Sequence, residues 1–127
     1  MNESTANAKS ASELVAEASR VVRTCTPVQA ARLLSGEPKP MIIDLRELAE
    51  FRRGALPGAI HLPRGLLEFQ IAKICPLAQQ ALLVHCAGGG RAVLAAKTLA
   101  DMGYGNVTAV DGKFSDLLES IAESDTL

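Results

Sequence analysis

One stretch of this 127-residue chain concentrates the residue types that do chemistry. It reads Val84-His85-Cys86-Ala87-Gly88-Gly89-Gly90-Arg91-Ala92: a strand end, a cysteine, a run of small residues and the start of a helix. Three consecutive glycines let the backbone turn tightly with its N–H groups facing inward, an anion-binding nest. The positive end of a helix over 91–102 aims at the same point. Both effects favour the thiolate at Cys86, the form that acts as a nucleophile. Arg91 adds a fixed charge and a forked donor. The alternative is a small core cysteine before a glycine turn, a common fate of free cysteine.

Other chemistries fit this loop poorly. No Lys-Ser/Thr pair follows the glycines at P-loop spacing, and no G-x-G-x-x-G fingerprint can be read. Cys25, Cys75 and Cys86 have no paired spacing, and His61 and His85 form no ligand doublet, so neither metal nor cofactor is expected. Three cysteines close no disulfide framework, and reduced thiols fit a cytoplasmic setting. The N-terminus lacks the apolar core of a signal peptide, and no stretch reaches the roughly 20 apolar residues of a membrane helix.

Composition narrows the classes further. Apolar residues make up 48% and charged ones 21%, which excludes a largely disordered chain. Aromatics are only 3%, so stacking platforms for nucleic acid are not expected. The net charge of −1 gives no bulk attraction to DNA or an anionic membrane. That charge is unevenly spread, +3 over residues 41–100 and −5 over residues 101–127, so the surroundings do not oppose an anion at Cys86.

Something must hold this loop. Residues 1–9 read as a disordered leader, and 10–23 as a helical extension. Ser10 with Glu13, and Thr26-Pro27 with Gln29, have capping-box spacing and start helices over about 11–20 and from Pro27 to near Gly36. Gly36 suits a C-terminal cap. Val21–Cys25 reads as a short first strand. The apolar runs Met41–Ile43, Ala81–Val84 and Val107–Val110 are short and continuous, as strands buried on both faces are. A weaker run lies at Ala59–Leu62. Ala92, Ala95, Ala96, Leu99 and Met102 form one helical stripe stopped by Gly103. Phe114, Leu117, Leu118 and Ile121 form another. Alternating strands and helices give an α/β fold in three layers, with a mainly parallel sheet of about five strands between helices. The domain is expected over 24–122, with a tail over 123–127.

The chain also resembles the single-domain rhodaneses, a sulfurtransferase family. Cys86 to Arg91 fits the family's active-site loop of Cys, four residues and Arg. Asp44-Leu45-Arg46-Glu47, Glu50-Phe51, Gly54-Ala55-Leu56-Pro57-Gly58-Ala59-Ile60 and Pro63 follow its first signature in order. Leu99, Met102-Gly103-Tyr104, Asn106-Val107 and Asp111-Gly112 resemble its C-terminal signature, so the likeness covers about residues 25–120. Ala55, Asp111 and Phe114 stand where the family commonly has His, Gly and Trp, which bears on the rim of the site and on acceptor choice.

The resemblance implies that Cys86 carries a persulfide cradled by Ala87, Gly88, Gly89, Gly90 and Arg91. A small anionic donor such as thiosulfate supplies the sulfur, and a thiol, cyanide or a protein accepts it. Asp44 and Arg46 are expected at the same sheet edge as a structural ion pair, with guidance of anionic donors by Arg46 as the other reading. Arg64 is the candidate for the mouth, and Arg52 and Arg53 for the outer surface. His85 should point away from Cys86 by strand alternation, as packing or hydrogen-bonding support. Cys25 and Cys75 are read as passengers, Cys75 partly exposed. A phosphatase on the same fold and a non-catalytic sulfur carrier are the competing classes.

Overall fold

The computed structural model describes residues 7–125. Five strands, β1 (Arg23–Cys25), β2 (Met41–Asp44), β3 (Ile60–His61), β4 (Leu82–His85) and β5 (Val107–Val110), form one sheet in the order β1-β5-β4-β2-β3. Every pairing is parallel. All four residues of β4 and of β5 are buried, as an inner strand covered on both faces requires. Helices α1 (Ala11–Ser19), α2 (Pro27–Ser35), α3 (Leu48–Arg53), α4 (Leu67–Ile74), α5 (Gly90–Asp101) and α6 (Phe114–Asp125) complete the fold.

The core is split by the sheet. On one side Ile43, Val84, Cys86 and Ala109 pack with Ala18 of α1, Leu67 and Ile71 of α4, and the small-residue stripe of α5. On the other, Leu83, Val110 and Cys25 pack with Ala30 of α2 and Leu117 of α6. Ala92, Ala95 and Ala96 are all buried, and their small side chains let α5 lie close to the sheet. Both expected capping boxes form: Ser10 with Glu13, and Thr26 with Gln29, each exchange two hydrogen bonds.

Several expectations need correcting. Gly36 ends α2 in an extended conformation, φ −95° and ψ −174°, so no left-handed cap is made there. Gly103, at φ 103°, does take the left-handed turn that stops α5. Met102 and Leu118, on the apolar stripes of α5 and α6, are 44% and 41% exposed, so each stripe is buried only in part. Val21 lies in the turn after α1, outside β1, and is exposed. Helices α3 and α4 were not assigned from sequence. Of the leader read over 1–9, residues 1–6 lie outside the described residues, as do 126–127 of the tail, while α6 continues to Asp125. No helix among the described residues is long and apolar enough to cross a membrane.

Candidate active site

Cys86 follows the last residue of β4, the middle strand of the sheet, at the carboxyl end where open α/β sheets bind ligands. Its Sγ accepts hydrogen bonds from the N–H of Gly89 (3.1 Å) and of Ala92 (3.3 Å), and Cys86 is 2% exposed. The sulfur thus sits against the amino end of α5, and an anion there meets oriented amides. Ala87, Gly88, Gly89 and Gly90 wrap this corner, with Gly89 at φ 109°. A Cβ on Gly89 would stand 2.9 Å from Asp111 Oδ1 and 3.0 Å from the Gly112 nitrogen.

Gly89→Ala should therefore cost about 1–3 kcal/mol through backbone strain alone, with the clash added. It should also displace one of the two amides aimed at Cys86. Thermal unfolding and sulfur loading should fall together. Unchanged values for both would mean that the loop relaxes freely.

Arg91 does not present a free fork. Its Nη1 and Nη2 donate to Glu50 Oε1 (3.0 Å) and Oε2 (3.3 Å), and both side chains are partly exposed. Hydrogen bonds from Arg91, then from the Glu47 backbone, hold the Glu50 carboxyl down at about 2. The same partnership raises Arg91. A depressed carboxyl contributes stability that is present above its ordinary value of 4.5 and is lost only as the pH falls through about 2. The tie between α3 and the loop therefore holds across the neutral range. Sequence reasoning quoted Glu50 within a motif without giving it a role, since its partner lies 41 positions away.

Asp44 and Arg46 meet as an ion pair, Nη2 to Oδ2 at 2.8 Å, with Arg46 Nε 3.0 Å from Oδ1. The Arg46 backbone N–H also donates to Asp44 Oδ1 (3.0 Å), and Nη2 reaches the Gly54 carbonyl (2.7 Å). Both side chains are buried. Burial pushes the Asp44 carboxyl up, but the Arg46 hydrogen bonds outweigh it and leave it below its usual range. The guanidinium lies 3.8 Å over the Phe114 ring, and the His85 ring stacks on Phe114 at 5.4 Å. His85 Nε2 is 3.7 Å from Asp44 Oδ2, yet burial lowers the imidazole despite that carboxylate, so this is not an ion pair at neutral pH. His85 belongs with Phe114, not with the sulfur of Cys86.

The structure brings Phe114 to the loop, its N–H donating to the Ala87 carbonyl (2.9 Å). Beside it lies a pocket of about 390 Å³ lined by Arg46, Glu50, Arg53, Gly54, Phe114 and Leu118. Arg53, expected on the outer surface, is part of this wall. Arg64 is not. Its guanidinium donates to Glu68 Oε1 (3.0 Å) and to Thr98 Oγ1 (3.0 Å), on α5 two turns from the loop. These contacts tie Arg64 to Glu68 of α4 and Thr98 of α5. Cys75, expected to be partly exposed, is 1% exposed, with its Sγ donating to the Leu77 carbonyl (3.5 Å). Among the described residues no three His, Cys, Asp or Glu side chains gather as a metal site would need.

The "Rhodanese-like domain" family description matches residues 26–120. The chain belongs to the rhodanese-like domain family. This rhodanese-like domain is similar to a Schizosaccharomyces pombe protein provisionally described as a mitochondrial thiosulfate sulfurtransferase, 26% identical over 68% of this chain and 69% of that one. It is 29% identical to a provisionally described sulfur carrier protein of Bacillus subtilis, over 54% of this chain and 36% of the relative. A solved structure from Rhodopseudomonas palustris, of unknown function and suggested to be a tyrosine phosphatase, shares 32% identity. It superposes with a TM-score of 0.78 over 94% of this chain and 96% of that one.

Proposed function

We propose that this rhodanese-like domain is a sulfurtransferase that works through a persulfide on Cys86. The Cys86 thiolate attacks the outer sulfur of a donor such as thiosulfate. A new S–S bond forms, the old one breaks, and sulfite leaves with the bonding pair. A thiol or cyanide then takes the outer sulfur and returns the electron pair to Cys86. The observation that carries this reading is the pair of amides at 3.1 and 3.3 Å from Sγ, donors placed for an anionic sulfur. No step calls for a metal or an organic cofactor. Three unpaired thiols fit a reducing compartment such as the cytoplasm.

The Rhodopseudomonas neighbour raises phosphoryl transfer as the second reading. Two features oppose it. Only four residues separate Cys86 from Arg91, a narrow ring for a phosphoryl group with three equatorial oxygens. The arginine that should clamp those oxygens is engaged by Glu50. Wild-type protein incubated with thiosulfate should gain one sulfur atom by intact mass and should release no aryl alcohol from an aryl phosphate above the Cys86→Ser background. The reverse pattern would replace the sulfurtransferase reading with the phosphatase one. Loading without turnover toward cyanide or small thiols would favour the carrier described for the Bacillus relative.

Arg91→Ala separates holding the loop from recruiting the donor. Its pairing with Glu50 implies the first role, so turnover with thiosulfate and with a neutral persulfide should fall by similar factors. The partly exposed pair contributes about 1 kcal/mol or less, giving a loss of roughly fivefold or less. A loss confined to thiosulfate would show that Arg91 leaves Glu50 to meet the anion.

A further inference from the structure

A second cavity, of about 330 Å³, lies at the other end of the sheet. It is reached from the residues that precede β4 and β5, whereas Cys86 follows the end of β4, about 13 Å along the strand from Leu82 at the usual rise per residue. The helix α2, the start of β4 and the turn before β2 enclose it. Most of the wall is apolar: Leu33 from α2, Pro38 and Pro40 from the turn, Leu83 from β4. Cys25 adds to that wall, because burial raises its thiol and keeps it protonated.

The charged groups of this cavity are of one sign, beside the neutral Thr24, Gln29, Asn106 and Thr108. Arg23 and Arg32 line it, and among the described residues no acidic side chain does. Arg23 donates through Nη1 to Asn106 Oδ1 (3.2 Å), which leaves the remainder of its fork. The Arg32 guanidinium makes no hydrogen bond or ion pair among the described residues, and the backbone carbonyl of that residue accepts from Ser35 Oγ (3.1 Å). Gln29 spends its Oε1 on the Thr26 N–H (2.9 Å), so its amide NH2 remains as a donor. Two positive forks and a spare donor above apolar walls match an anionic head on a hydrocarbon body. The volume is at the low end for small-molecule sites, about 300–1,000 Å³.

We propose that this cavity is a second ligand site, which binds a small amphipathic monoanion. A carboxylate or sulfonate rests on Arg23 and Arg32, and a single ring or short branched chain lies against Leu33, Pro38, Pro40 and Leu83. The site is independent of Cys86 and of the sulfur-transfer reading.

Titration of the 15N-labelled full chain with benzoate, read by amide chemical shifts, tests this. Saturable shifts are expected at Thr24, Leu33, Leu83 and Thr108, with the amides of residues 87–91 unmoved. p-Toluenesulfonate should reproduce them. Neutral benzamide, and benzoate on the Arg32→Gln variant, should bind about tenfold to a hundredfold more weakly, as the loss of a charge-assisted contact implies. Arg32→Lys, which keeps the charge, should recover most of the affinity. Arg32 is exposed on α2, and the dispersion of the same spectra reports whether each variant is folded. Equal affinity for benzamide and benzoate, no saturable shift, or shifts confined to residues 87–91 would each overturn the proposal.

Discussion

Cys86→Ser should carry no added sulfur after thiosulfate treatment, while Cys25→Ser and Cys75→Ser should load one atom as the wild type does. Burial does not separate the three thiols, which are 9%, 1% and 2% exposed at positions 25, 75 and 86. Their hydrogen bonding does. Cys86 Sγ accepts from two backbone amides, whereas Cys75 Sγ lies against the Leu77 carbonyl as a donor. Burial raises Cys25 with no compensating donor. Serine keeps the size and hydrogen bonding of Cys86 while removing the nucleophile, so turnover should drop to the uncatalysed background. Intact mass and thiocyanate release measure the two halves separately. A Cys86→Ser protein that still loads would sink the assignment of the nucleophile.

Asp44→Ala should be the most damaging single change to stability. It leaves the Arg46 guanidinium buried without its carboxylate, a defect of about 3–5 kcal/mol. For a chain of this length that lowers Tm by roughly 10–20 °C. Replacing both residues, Asp44→Leu with Arg46→Met, should recover part of the loss. It should not recover all of it, because the Gly54 carbonyl also relies on Arg46. The pH dependence has a definite sign. Asp44 is held below its ordinary value of 3.8, so its contribution is full above that value and disappears as the pH falls through the depressed one. The Tm gap between wild type and Asp44→Ala should accordingly be widest near neutrality and narrow below about pH 4. A constant gap would mean that the alanine merely leaves a cavity.

What the sequence shows of this fold follows from where its signals are local. The runs Met41–Ile43 and Val107–Val110 announce buried strands because both faces of the sheet are covered, and the two capping boxes act within four residues. Cys86 and its glycines are consecutive, so the loop can be recognised as a unit. Helix α3 has six residues and buries none of them, which leaves no periodic stripe to read. Helix α4 starts at Leu67, and its N-cap residue Leu66 provides no side-chain cap. Glu50 could not be assigned to Arg91, nor Thr98 to Arg64, before the chain was folded, since 41 and 34 positions separate them. Arg46 was legible through its near neighbour Asp44, but its contacts with Gly54 and Phe114 were not.

On the proposed persulfide reading, the depth of Cys86 would give the resting and loaded proteins different chemical exposure. A reagent must enter the ring of amides to reach Sγ, and stepwise oxidation to a sulfinate needs space for two oxygens around that atom. On that reading a persulfide would place its terminal sulfur about 2 Å from Sγ, one bond further from the buried thiol position. The recess that shelters the idle thiol from peroxide and alkylating agents would, on that reading, shelter the terminal sulfur less. Damage and delivery are separated by a single bond length.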